Sequence, residues 1–272
     1  LQPIDQLGLV RDNLALSAAD YQPEAPALDL LAAIPGDANP VVAESALGLW
    51  SGLYDQLQAA GDKAALAAQL RKQWLPRLQA LGYDPRAGEP LVDTSLRATL
   101  VAVLGRMGDA TVLEQARSRF AKLANDPRAL DGPLKITWLN IVARNASAAD
   151  WQMLYDLAAR TSSPAERSTY YELLGAAKDP ALAQKALDFA LTGKAGTTSA
   201  AIITSVSGPN PALAFDFTVA HRRQVEALVD DSGHSSFYRR MAGSSLDPAM
   251  VGKLETLRAS LPADQQRPIN QA

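Results

Sequence analysis

The chain has 272 residues, 47% hydrophobic and 20% charged, enough for a sizeable core in one large domain or two ordinary ones, which excludes wholesale disorder. Its net charge of −3 comes from interspersed acids and bases; there is no basic stripe of the kind a nucleic-acid binder carries, and no apolar run long enough to span a membrane. Cysteine is absent, so disulfides, thiolate metal sites and a cysteine nucleophile are excluded.

Alanine supplies 50 residues and aromatics only 6%, a bias toward helices packed through small side chains. The chain begins Leu1-Gln2-Pro3-Ile4-Asp5 with no initiator methionine and no signal peptide, as expected of a segment from inside a longer protein whose localisation signals would lie upstream. The first expected helices run over 5–19, 24–33, 40–60 and 62–81. A loop rich in breakers follows, Gly82-Tyr83-Asp84-Pro85-Arg86-Ala87-Gly88-Glu89-Pro90. Helices of 10 to 20 residues then succeed one another to residue 259, and the tail 261–272, with Pro262 and Pro268, is expected to fray. The expected organisation is a single α-helical solenoid domain over 1–260, with 82–90 as the place for any sub-division.

Helix starts are marked by caps followed by proline. Ser163-Pro164-Ala165-Glu166 reads as a capping box with proline at the first helical position. Asn39-Pro40, Asp126-Pro127, Asp179-Pro180, Asn210-Pro211 and Asp247-Pro248 repeat the cap-proline pair, and Ser147 to Asp150 forms a further box. A cap oxygen satisfies an orphan N–H, and proline loses nothing where its missing N–H had no partner.

Behind the caps the apolar residues keep the helical period. Leu113, Ala116, Phe120 and Leu123 share a face, as do Trp151, Leu154, Tyr155 and Ala158; Leu182, Ala186, Phe189 and Ala190; and Leu213, Phe217 and Ala220. Between them come Leu96, Leu100, Val103; Leu134, Trp138, Ile141; and Tyr170, Leu173, Leu174, Ala177. No segment alternates with period two at comparable strength, so no sheet is expected. Helix starts near Asp109, Ser147, Asp179 and Asn210 recur every ~31–38 residues, each preceded by another helix, which is the mark of an α-solenoid. The expected fold class is all-α, a HEAT- or armadillo-like superhelix with a concave face.

Chemistry is sparse. The two histidines are His221, followed by Arg222 and Arg223, and His234, in a loop over 231–236 expected to cap the next helix; both read as surface residues. No His-Glu-x-x-His, Gly-x-Ser-x-Gly or Walker loop occurs. Gly105-Arg106-Met107-Gly108 reads as a helix-ending turn. The pairs Arg71-Lys72, Arg222-Arg223 and Arg239-Arg240 read as solvated faces, with capture of a carboxylate on a concave surface as the functional alternative. Trp50, Trp74, Trp138 and Trp151 lie in helical stripes and read as core. Residue chemistry alone thus ends at a non-catalytic helical solenoid.

Several stretches recur in a characteristic order. Asp5-Gln6-Leu7-Gly8-Leu9-Val10-Arg11-Asp12-Asn13-Leu14-Ala15-Leu16 opens the series, followed by Ala27-Leu28-Asp29-Leu30-Leu31 and Val41 to Leu47. Then come Leu104 to Asp109 with Ala116 to Phe120, Ser147 to Trp151 with Tyr155, Thr161 to Glu166, Leu173 to Pro180, and Ala214-Phe215-Asp216-Phe217. In that order they resemble the helical C-terminal domain of zinc aminopeptidases of the aminopeptidase N, puromycin-sensitive and endoplasmic-reticulum type. Val42 and Glu44 depart from that pattern, standing where the family often has an aromatic.

The resemblance implies a non-catalytic domain that closes over the catalytic domain of the same polypeptide, bounds a chamber, limits substrate length and touches the distal end of the peptide. It implies zinc in that catalytic domain and none in this chain, where no position matches the zinc ligands or the Gly-x-Met-Glu-Asn strand. Accordingly no catalytic, cofactor-binding or metal residue is assigned here, and this chain alone is expected to be inactive. The partners implied are the catalytic domain and a peptide substrate, with no nucleic acid and no membrane span. The alternative is a stand-alone solenoid scaffold binding a protein or peptide; an all-helical enzyme with its own site has the least support.

Overall fold

The computed structural model describes residues 2–230, 234–261 and 266. Every regular element among them is helical, and they divide into two compact units, 1–138 and 139–272. The expected frayed tail, apart from Leu261 and Gln266, and residues 231–233 of the expected capping loop lie outside the described residues.

The first unit contains α1 (Pro3–Ala18), α2 (Glu24–Ala32), α3 (Pro40–Gln56), α4 (Ala60–Leu81), α5 (Leu91–Arg106) and α6 (Ala110–Lys122). Helix α3 stops at Gln56, short of the expected residue 60, because Leu57 turns extended at ψ 133°. Helix α4 runs through Pro76 to Gly82, whose φ of 75° ends it. Helix α5 packs against both α3 and α4, and α1 against α2 and α3. The core is built from Leu31, Leu47, Leu70, Trp74, Leu78, Leu96, Leu100 and Leu104, each 0–1% exposed. At about 25 cal/mol per Å² of apolar surface, each such side chain contributes on the order of 2 kcal/mol.

The loop over 82–90 is held from beneath by Arg97 on α5, which is 0% exposed. Its guanidinium donates to both carboxylate oxygens of Glu89, from Nη2 at 2.6 Å, and to the carbonyls of Gly82 at 2.9 Å and Leu81 at 3.2 Å. A buried arginine is tolerated only when its fork is filled in this way.

Helix α7 (Lys135–Arg144) crosses the boundary between units. The second unit contains α8 (Ala148–Arg160), α9 (Pro164–Leu173), α10 (Pro180–Ala190), α11 (Ser199–Ser207), α12 (Pro211–Ala220), α13 (Arg222–Glu226), α14 (His234–Ala242) and α15 (Ala249–Ala259), with 3₁₀ turns at Leu174–Ala176 and Gly196–Thr198. Consecutive helices pack in pairs, α8 on α9, α10 on α11 and α11 on α12, while α9 also meets α11. Turns at corresponding places are tied together one repeat apart. Lys178 donates from its backbone to Arg144 O (3.1 Å) and from Nζ to Asn145 Oδ1 (3.2 Å), and Ser244 Oγ donates to Ser207 O (2.7 Å). Trp151 Nε1 reaches Leu174 O at 3.1 Å, giving a buried indole its acceptor.

Most expected caps form. Asn39, Asp109, Ser147, Ser163 and Asp179 each accept a backbone N–H from the first turn they precede. Ser147 and Asp150 close a full box. Asp247 accepts from Ala249 N at 2.9 Å, ahead of α15.

Two expected starts differ. Asp126 bonds Arg128 N at 2.9 Å but opens a turn, because Gly132-Pro133 follows too soon for a helix to propagate. Asn210 makes no cap bond; its side chain goes instead to Ala177 O, at 2.9 Å. The α12 stripe is also rotated. Ala214, Phe215, Phe217 and Thr218 are buried, while Leu213 is half-buried and Ala220 exposed, since α12 is wedged among α10, α11, α13 and α14.

Candidate functional site

The polar residues that could carry chemistry are largely spent on structure. His221 ends α12, exposed, with its ring 4.4 Å from that of Phe217. His234 is half-buried, contrary to the surface position expected of it. Its Nε2 lies 2.9 Å from Glu226 O and 3.0 Å from Val229 O. Both neighbours are acceptors, so this nitrogen carries the hydrogen and bonds carbonyls at and just beyond the end of α13.

Beside it, Glu226 Oε1 accepts from Arg222 Nε at 2.8 Å and from Tyr238 Oη at 2.9 Å. Burial alone would raise the Glu226 carboxyl, but these two hydrogen bonds outweigh it and hold it below its ordinary value. Burial, and then the Glu226 carboxylate, push the Tyr238 phenol well up. Glu226 is thereby held in its ionised form, with Oε1 tying α13 to α14 through Tyr238.

The other basic pairs separate. Arg71 Nε meets the buried Asp109 Oδ2 at 3.0 Å, while Asp109 Oδ1 caps α6 through Val112 N at 3.0 Å. Arg71 is thus an α4–α6 brace and not only a solvated cation. Arg223, Arg239, Arg240 and Lys72 are exposed. All four tryptophans are buried, as their stripes predict. Among the described residues no group of three His, Cys, Asp or Glu is placed to hold a metal ion, and no helix is long and apolar enough to cross a membrane.

The concavities among the described residues include three of note. In the first unit a small one of about 80 Å³ lies between Tyr83 and Trp138, beside Arg119, which stacks 5.1 Å over Trp138 and bonds both oxygens of Asp84 at 2.8 Å. In the second unit an apolar groove of about 720 Å³ separates α12 from α15, crossed by a Lys253–Asp216 pair at 2.6 Å.

The third, of about 300 Å³, lies between one face of α9 (Pro164, Arg167, Ser168, Tyr171) and the turn over 193–198. This cleft escaped the sequence reading. Its signal is Gly193-Lys194-Ala195-Gly196, a lysine between glycines whose φ values are 78° and 56°. Such a turn needs glycine at both places.

The chain is similar to two plant proteins from Oryza sativa subsp. japonica. It is 26% identical to Aminopeptidase M1-B over 202 residues and 23% identical to Aminopeptidase M1-A over 201 residues; each match covers 71% of this chain and 23% of the relative. The chain therefore spans about a quarter of the length of the curated relatives it matches. The all-helical build and the paired helices agree with a further match that runs from residue 1 to residue 272: the chain belongs to the ERAP1-like C-terminal domain family.

Proposed function

We propose that this chain is the non-catalytic C-terminal domain of a zinc metallo-aminopeptidase, closing over the catalytic domain of the same polypeptide to bound the substrate chamber and gate peptide access. The observation that carries the proposal is the family match over residues 1–272, together with relatives named aminopeptidases that are several times longer than the chain. In this reading the zinc and every catalytic residue belong to the catalytic domain, and the present chain supplies a wall. Its helix pairs, continued as one solenoid over 1–260, would present a concave face to the chamber, where the distal part of a peptide lies. A wall of that kind excludes bulk water from the reaction and limits which substrates fit.

The parent reading frame and its enzyme test this. The frame should encode His-Glu-x-x-His with a downstream Glu upstream of residue 1. Peptides of graded length sharing one N-terminal residue should show a length dependence in the intact enzyme. Deleting residues 1–272 should remove that dependence while hydrolysis of a small amino-acid amide persists. A frame without the zinc motif, or an unchanged length profile after deletion, would overturn the proposal.

A further inference from the structure

We propose that the cleft between α9 and the 193–198 turn is an oxyanion site for a phosphate group, either the free dianion or a monoester on a small molecule. Its charge is the first argument. Arg167 and Lys194 both line it and no carboxylate does. Arg167 is positioned by one bond, Nη2 to Thr161 O at 2.7 Å, which leaves the rest of its fork unspent. Lys194 Nζ has no partner among the described residues.

The second argument is an excess of donors. Tyr171 lines the cleft and is only 7% exposed, its ring held 5.0 Å from that of Phe189 and 6.3 Å from that of Tyr155, yet its phenol makes no hydrogen bond to a described residue. That hydroxyl opens on the cleft, and its hydrogen is free to turn toward a ligand there. Ser168 Oγ accepts from Thr198 Oγ1 at 3.1 Å, which frees its own hydrogen to point elsewhere. In the turn, Gly196 N and Thr198 N bond back to Gly193 O and Ala195 O, whereas Ala195 N and Thr197 N find no acceptor among the described residues. Two cations, two hydroxyl donors and two amides, with no acid opposite, suit a tetrahedral anion of charge about −2. A single carboxylate would leave one cation unbalanced and most of the donors unused. The site does not depend on the aminopeptidase reading.

Amide NMR of the labelled 272-residue chain, titrated with inorganic phosphate at constant ionic strength, tests the proposal. Saturable shifts should centre on Ala195 and Thr197, whose amides are free. Lys194→Ala and Arg167→Ala should each weaken binding about tenfold, and Lys194→Glu should abolish it. Phosphoserine is the second arm: tighter binding than free phosphate assigns the site to monoesters, and weaker binding assigns it to the free ion. No saturable shift up to on the order of 10 mM phosphate, acetate binding as tightly as phosphate, or full affinity in Lys194→Ala would overturn it. Lys194 is an exposed turn residue, so its variants report on the site without threatening the fold.

Discussion

Asn210 donates from Nδ2 to the carbonyl oxygen of Ala177, 33 residues earlier, at 2.9 Å. The acceptor residue is 1% exposed, so water cannot easily replace the donor. This bond repeats, one helix pair further on, the tie that Lys178 makes to Asn145 across the same interval of 33 residues. It stacks the turn before α12 on the turn before α10 and takes the place of the local cap that an Asn-Pro start ordinarily provides.

Replacing Asn210 with Ala should therefore destabilise the second unit by about 1–3 kcal/mol, the cost of an orphaned buried carbonyl. Asn210→Asp should cost at least as much, because a carboxylate cannot donate and faces the same oxygen. Urea unfolding followed by helical circular dichroism measures both. A change under about 0.5 kcal/mol in Asn210→Ala would show that the tie is idle.

Gly175 sits where a Cβ would meet Ile202 O at 2.5 Å and Ser205 Cβ at 2.9 Å. Glycine is required here by the closeness of α11 rather than by backbone conformation. Gly175→Ala should cost about 1–3 kcal/mol by overpacking. Gly48, on the exposed side of α3 with open space around it, provides the control: Gly48→Ala should stabilise by about 0.5–1 kcal/mol through helix propensity. If the two changes had the same sign in urea midpoint, close approach would not be the reason for Gly175.

Arg97 should be among the least replaceable side chains of the first unit. Arg97→Met removes the fork that fills the carbonyls of Leu81 and Gly82 and strands Glu89, for a loss of about 3 kcal/mol or more. The pair also sets a pH dependence. Hydrogen bonds from Arg97, then Thr94, hold the Glu89 carboxyl down from 4.5 to about 2. Its folded value lies below its unfolded one, so its contribution is complete above about pH 4.5 and is lost as pH falls toward about 2. The urea midpoint of the wild-type chain should fall over that window, and Glu89→Gln should fall less steeply. Parallel profiles would contradict this account.

Tyr238 gives the opposite sign. Its phenol is pushed above its ordinary value of 10.0 by burial and by Glu226. Its contribution is therefore full below about pH 10 and is lost as pH rises beyond it. Tyr238→Phe should cost about 1 kcal/mol at neutral pH, where the bond to Glu226 is missing, and should lose less on going to about pH 11 than the wild type does. Equal losses at high pH would rule out Tyr238 as the responsible group.

The sequence made legible whatever depends on neighbours within one helical turn. Asn39, Ser147, Ser163 and Asp179 cap the helices they precede because the cap oxygen needs only the N–H two or three residues on. The stripe of α10 buries as read, at Leu182, Ala186, Phe189 and Ala190, and that of α8 at Trp151, Leu154 and Ala158, with Tyr155 half-buried, because the period of the helix sets which residues share a face. The ordered motifs from Asp5 to Phe217 likewise pointed to the family whose description matches the whole chain.

Tertiary structure decided the rest, and in each case the deciding partner lies outside the residue's own helix. Arg97 carries no local sign of burial; only the return of the 82–90 loop over α5 supplies Glu89 and two carbonyls to it. Arg71 looks like any surface arginine until α6 brings Asp109 within 3.0 Å. The rotation of α12 follows from its having several helical neighbours, where periodicity presumes one. The cleft by Lys194 exists because α9 and a turn some thirty residues later close on each other. A helix is specified by bonds three and four residues apart, which composition and spacing record; a cleft or a brace depends on how separate helices lean together, a packing property that no short stretch encodes.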